Sequence, residues 1–83
     1  MVPTIHVIIK NKESIIFDGQ VTSVSSFNDV GLFDVLPYHE NFISLVRDKI
    51  ILQDNNGQKE FKINNGLLKV KNDKVDIYLG LWE

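Results

Sequence analysis

The chain has 83 residues, nine basic and eleven acidic side chains, a formal charge of −2 and no cysteine. At ~100–200 residues per domain this is one domain with one modest core. The missing thiols exclude disulfides, thiolate metal sites and cysteine nucleophiles, and the lack of a clustered basic block argues against a nucleic-acid binder. Alanine is absent, whereas ten Ile and nine Val make up more than a fifth of the chain. Alanine is the best helix former, and stiff β-branched side chains suit a pleated surface, so the composition leans all-β. A hydrophobic fraction of 43% is enough for a folded core.

In chain order, short β-rich runs alternate with turn signals. The expected strands are Thr4–Lys10, Ser14–Phe17, Gln20–Phe27, Leu32–Leu36 and Phe42–Val46, then Ile50–Gln53, Gln58–Ile63, Leu67–Val70 and Val75–Leu81. The breaks fall at Asn11-Lys12, Asp18-Gly19, Asn28–Gly31, Pro37–Asn41 and Arg47-Asp48. They continue at Asn55–Gly57, Asn64–Gly66 and Lys71–Lys74. Asn and Gly tolerate the positive φ that tight hairpins demand, and the five isolated glycines are assigned to turns. Several runs alternate with a period of two. Ile5, Val7 and Ile9 share one side, as do Phe61 and Ile63, Leu68 and Val70, and Val75, Ile77, Leu79 and Leu81. That is the pattern of a strand with one buried face. The expectation is an antiparallel β-sandwich of about ten short strands, one domain over residues 1–83.

Two further features concern surfaces. Lys10, Asn11, Lys12 and Glu13 split the apolar N-terminal residues, so no signal peptide is expected, and nothing approaches the ~20 apolar residues of a membrane helix. A soluble protein without membrane insertion is expected. Ile8, Ile16, Ile51, Tyr78 and Trp82 fall out of phase with the core positions of their strands. A small sandwich buries a few such residues at its edges, but a patch of them marks a partner surface.

Residues for chemistry are scarce. The serines lack a Gly-x-Ser-x-Gly elbow. His39 and Glu40 are neighbours, which on an extended segment point to opposite sides. His6, His39 and the dispersed carboxylates lack metal-ligand spacing, and no Gly-rich phosphate loop occurs. No catalytic residue, metal or cofactor is expected.

The informative stretch is Val30-Gly31-Leu32-Phe33-Asp34-Val35-Leu36-Pro37-Tyr38-His39, followed by the apolar run from Phe42. A glycine turn enters an apolar strand, and Pro37 ends it because proline cannot donate to a ladder. This order resembles the epsilon subunit of F-type ATP synthases, called delta in mitochondria. Phe17-Asp18-Gly19-Gln20-Val21, Asn65-Gly66-Leu67-Leu68-Lys69-Val70 and Val75-Asp76-Ile77-Tyr78-Leu79 are similar to further elements of that family, in the same order.

The resemblance implies a non-catalytic β-sandwich at the foot of the rotating central stalk of a proton- or sodium-translocating enzyme. It would sit peripherally at the cytoplasmic face of the membrane, couple ion flow to ATP synthesis, and bind the gamma subunit and the rotor ring. Matching positions imply ring contacts at Asn28, Asp29, Val30, Gly31, Leu32 and His39, and gamma contacts at His39, Phe42 and Ile43. No ATP binding is implied, and the isolated domain is expected to be a monomer. Two positions depart from the family: Asp34 stands where glycine is usual, and Leu32 where some members are acidic. Most members continue into a pair of inhibitory helices. This chain stops after Trp82-Glu83, so a coupling subunit without that arm is expected, with a natural short form and a shortened version both open. Trp82, if packed on the domain, is expected to fluoresce in the blue. The alternative reading is a generic small β-sandwich adaptor, since architecture alone does not give function.

Overall fold

The computed structural model describes residues 3–80. Leu81 and Trp82, and with them the end of the last expected strand, lie outside the described residues. Seven strands form: β1 Ile5–Lys10, β2 Ile15–Val21, β3 Ser23–Asn28, β4 Gly31–Val35, β5 Phe42–Asp54, β6 Gly57–Lys71 and β7 Lys74–Leu79. They make a single sheet in the order β2-β1-β7-β6-β5-β3-β4.

The sheet is folded over in the middle. β6 has 15 residues, which at ~3.3 Å per residue would span about 50 Å if straight. The longest dimension of the molecule is 40 Å, so β6 must bend. The bend shows in the register: Arg47 pairs with Asn65, but Asp48 pairs with Ile63, one residue out of step. Asp48 has φ of 73°. The β3–β5 register shifts at the same place, from Ser26–Ile50 to Phe27–Arg47. A bulge of this kind kinks and twists a long strand. Ser26 is fully buried, and its hydroxyl donates to the Lys49 carbonyl at 2.8 Å, so the kink leaves no orphaned acceptor there.

The fold divides the sheet into two facing layers. β2, β1, β7, the end of β6 and the start of β5 form the first, and the rest of β6 and β5 with β3 and β4 form the second. The chain passes from β2 to β3 at Thr22, whose N–H and hydroxyl both donate to the Gln53 carbonyl, at 2.7 and 2.9 Å. Between the layers lie Ile5, Val7, Ile9, Leu68, Val70, Val75 and Ile77 from one side and Val24, Val35, Ile50 and Leu52 from the other, all buried. These inward positions match the period-two reading. Each open seam is closed by an edge-on phenylalanine pair. Phe17 meets Phe61 with ring centres 6.0 Å apart, and Phe33 meets Phe42 at 5.8 Å.

The sheet differs from expectation in three respects. There are seven strands rather than about ten, because two expected breaks lie inside strands. Arg47-Asp48 and Asn64–Gly66 are the bulge, where polar and glycine residues serve a kink instead of a reversal. The sheet is mixed, because β1 and β7 run parallel, with Val7 opposite Val75 and Ile9 opposite Ile77. Two glycines assigned to turns lie within strands. A Cβ on Gly66 would sit 2.9 Å from both Leu79 Cδ2 and the Tyr78 carbonyl oxygen, so glycine is needed there for close approach. Gly19 lies in β2 under the Phe17 ring. The Asn72-Asp73 turn is as expected, with φ of 51° and 62° at its two central residues, the two-residue hairpin geometry.

Ser26→Ala leaves the Lys49 carbonyl without its donor and is expected to cost about 1–3 kcal/mol in urea unfolding. Gly66→Ala forces β6 and β7 apart and is expected to cost about 1–3 kcal/mol in the same assay.

Candidate partner-binding surface

Two turns and the strand between them carry most of the residues singled out in the sequence. The first turn is Asn28–Gly31. The Asn28 side-chain oxygen accepts the N–H groups of Val30 and Gly31, at 2.9 and 3.2 Å, and Gly31 takes φ of 131°. Asparagine favours such turns because its side chain mimics a backbone carbonyl. The Asn28 amide also donates to Ser44 Oγ at 3.4 Å, which ties the turn to β5. Val30 stands at the tip, 96% exposed.

β4 follows and alternates. Phe33 and Val35 face the core, while Leu32 and Asp34 face out. Asp34 lies in unbroken β3–β4 pairing opposite Ser25 and accepts its hydroxyl proton at 2.5 Å. The backbone is extended there, so an L side chain is accommodated without strain.

The second turn is Leu36–His39. The His39 N–H donates to the Leu36 carbonyl at 3.1 Å, and Tyr38 at the third position takes φ of 66°. Pro37 before it presets the turn, which is type II, where glycine is the usual third residue. Tyr38 is held there by its N–H donating to the Asp73 carboxylate at 2.7 Å. Close by, the Asn72 N–H donates to the Asn41 side-chain oxygen at 3.0 Å. The backbone carbonyl of Asp73 accepts from the His6 N–H at 3.1 Å, so one hairpin tip fastens this corner to β1. His39 Nδ1–H donates to the Glu40 carbonyl at 2.8 Å, and the ring lies 5.0 Å from that of Phe42.

His39 and Phe42 are therefore brought together, and Phe33 completes a run of three rings. Asn28, Asp29, Val30, Gly31 and Leu32 are not at that corner. They lie at the opposite end of the five-residue β4. Phe42 and Ile43, adjacent in sequence, face opposite ways: Phe42 packs on the core and Ile43 is 63% exposed. The pattern extends beyond the residues first singled out. Leu45 is 61% exposed, two positions after Ile43 on the same side of β5, and Leu36 and Tyr38 are also exposed. The i, i+2 spacing of Ile43 and Leu45 is the signal that finds Leu45. Exposed apolar side chains thus run along the seam formed by β4 and the start of β5. There β5 lacks a second neighbour, because β3 pairs with it only from Arg47 onward. Beside the seam, Asn41, Phe42, Ile43, Lys69, Val70 and Lys71 line an open groove of about 390 Å³. Among the described residues no group of three or more His, Asp or Glu is placed to hold a metal.

The family profile for the ATP synthase Delta/Epsilon chain, beta-sandwich domain, matches residues 4–79. The chain belongs to this family. Its fold is shared with a chain in the mitochondrial ATP synthase of Euglena gracilis, in a structure of OSCP, F1 and the c-ring. The TM-score is 0.84 at 19% identity, over 95% of this chain and 52% of that one. A chain in the central stalk and c-ring of the Tetrahymena thermophila mitochondrial ATP synthase matches with a TM-score of 0.75 at 11% identity, over 90% of this chain and 62% of that one. The delta/epsilon sandwich described here thus spans between half and two thirds of the chains it matches. No curated protein sequence matches it. Among the described residues, this domain has no helix long and apolar enough to cross a membrane.

Asp73→Gly keeps the positive φ of the turn and removes only the carboxylate. It is expected to raise the amide exchange rate of Tyr38 and to lower stability by about 1 kcal/mol, read by hydrogen exchange and thermal melting.

Proposed function

We propose that residues 1–83 act as one non-catalytic domain of the central stalk of a proton- or sodium-translocating F-type ATP synthase. In this reading the domain binds the gamma subunit and the rotor ring and helps couple ion flow to ATP synthesis, peripheral to the membrane. The observation that carries it, beside family membership, is the apolar seam of β4 and β5. Leu32 is 62% exposed there, with Ile43 and Leu45 close to that value. A monomeric surface rarely leaves such a run uncovered, and interface energy concentrates in a few buried anchors.

The two ends of β4 suit two contacts. The Asn28–Leu32 turn, with Asp29 and Val30 at its tip, serves the ring, and the end holding His39, Phe42 and Ile43 serves gamma. Phe42 acts there by fixing the His39 ring and the course of β5, and Ile43 is the side chain that enters the partner. A coupling element has to keep its shape under torque, and the Asp73 and Asn41 hydrogen bonds brace this corner against β1 and β6.

The test is co-purification and calorimetry with gamma from the same organism. Tight binding is expected from the parent chain. Ile43→Asp is expected to weaken it at least ~10-fold with the fold intact, since it places a charge in an apolar contact. Ile15→Asp, equally exposed on β2, is the control and is expected to leave binding unchanged. A folded chain that gamma does not retain overturns the assignment and favours a generic adaptor.

A further inference from the structure

The outward side of the first layer has its own composition. Lys10 lies beside Tyr78 in the β1–β7 register, Tyr78 opposite Leu67, and Leu67 opposite Leu45. The Lys10 ammonium sits 4.8 Å from the centre of the Tyr78 ring. An apolar row therefore crosses three strands on a side that the core does not use. In the next row Lys69 stands opposite Ile43, at the mouth of the groove. Beyond it Lys71 stands directly opposite Lys74.

The charge on this side is opposite to that of the whole chain. It carries four lysines, Lys10, Lys69, Lys71 and Lys74, against the two carboxylates of Asp18 and Asp76, on a chain of net charge −2. Asp18 is engaged by His6 Nε2 at 2.6 Å. Among the described residues Lys69, Lys71 and Lys74 make no ion pair, whereas Lys49 on the second layer pairs with Glu60 at 3.2 Å. Like charges directly opposite across a ladder destabilise it, so the Lys71–Lys74 pair does nothing for the fold. The outward side of the second layer differs: across its middle Asp34, Ser25, Ile51 and Glu60 stand in one row, with a single apolar member.

We propose that this outward side of the first layer docks a protein segment that presents an apolar stripe edged by carboxylates. The stripe covers Tyr78, Leu67, Leu45 and Ile43, one apolar side chain enters the groove, and the carboxylates meet Lys69, Lys71 and Lys74. This rests on the assignment to the stalk, which supplies the partner, and adds which side is used and what chemistry it selects. Lysines around an apolar strip also suit an anionic lipid surface. The row geometry favours a protein, because the charges rim a stripe one side chain wide instead of forming a broad basic field.

The probe is gamma from the same organism, with vesicles of phosphatidylglycerol and phosphatidylcholine in a parallel arm. Lys69→Gln/Lys71→Gln removes two exposed charges and leaves the fold intact, checked by thermal melting. The expected result is a loss of gamma affinity of about 5-fold in low salt, shrinking towards none at about 0.5 M salt as screening removes the contribution. Leu67→Gln is expected to weaken binding at both salt levels. Lys59→Gln/Lys62→Gln on the second layer is expected to change it less than ~2-fold. Gamma binding that ignores both Lys69→Gln/Lys71→Gln and Leu67→Gln overturns this inference and leaves the stalk assignment standing. Loss of vesicle binding in the lysine variant with gamma binding unchanged overturns it in favour of lipid. No binding of gamma by the parent chain overturns both.

Discussion

A strand of 15 residues cannot lie straight in a body 40 Å long, and the fold depends on where it bends. The bend is localised at Arg47-Asp48 and the facing part of β6, and Ser26 makes it tolerable by donating to the carbonyl that the kink turns inward. Once β5 and β6 are kinked together, one sheet supplies both walls of the core. The two phenylalanine pairs then close the seams, one on each side. Without the bulge, β3 and β4 would continue the plane of β7 and β1, and the inward faces would have nothing to pack against.

The same bend creates the exposed edge. Because β3 leaves β5 at Arg47, the stretch from Phe42 to Val46 has a neighbour on one side only. Its inward residues are needed for the core, so its outward residues, Ile43 and Leu45, are apolar without a structural reason. An open edge next to exposed aliphatic side chains invites aggregation unless a partner covers it. The strained Tyr38 turn belongs to this region as well. A non-glycine residue in the left-handed region costs about 1–2 kcal/mol, and here the neighbouring hairpin holds it in place.

The class of fold was legible in the composition, and the inward positions were legible in the alternation of Ile5–Ile9, Leu68–Val70 and Val75–Ile77. What was not legible came from residues with two uses. Asn-Gly after a polar residue marks a hairpin at Asn55–Gly57 and a kink at Asn64–Gly66, and the local sequence does not distinguish them. The difference lies in what approaches: Gly66 is pressed against β7, which no local pattern reveals. The parallel pairing of the first and last strands is likewise a long-range matter. For the surface, the sequence led to Asn28–Leu32, His39, Phe42 and Ile43 through a resemblance, but gave no sign that β4 separates them. The outward rows of the first layer need the register, since Lys10, Tyr78, Leu67 and Leu45 come from four strands.

The β1–β7 pair carries a mechanical consequence. The strands are parallel and adjacent, so the chain enters the pair at Ile5 at one end and leaves it at Leu79 at the other. A force pulling those two residues apart along the strands would slide β1 past β7. Its load would fall on all five register pairs at once, and not on one bond after another as when a hairpin is peeled open. Tension passed along the chain would meet shear at the middle of the first layer, with the edge strands β2 and β4 outside the direct path.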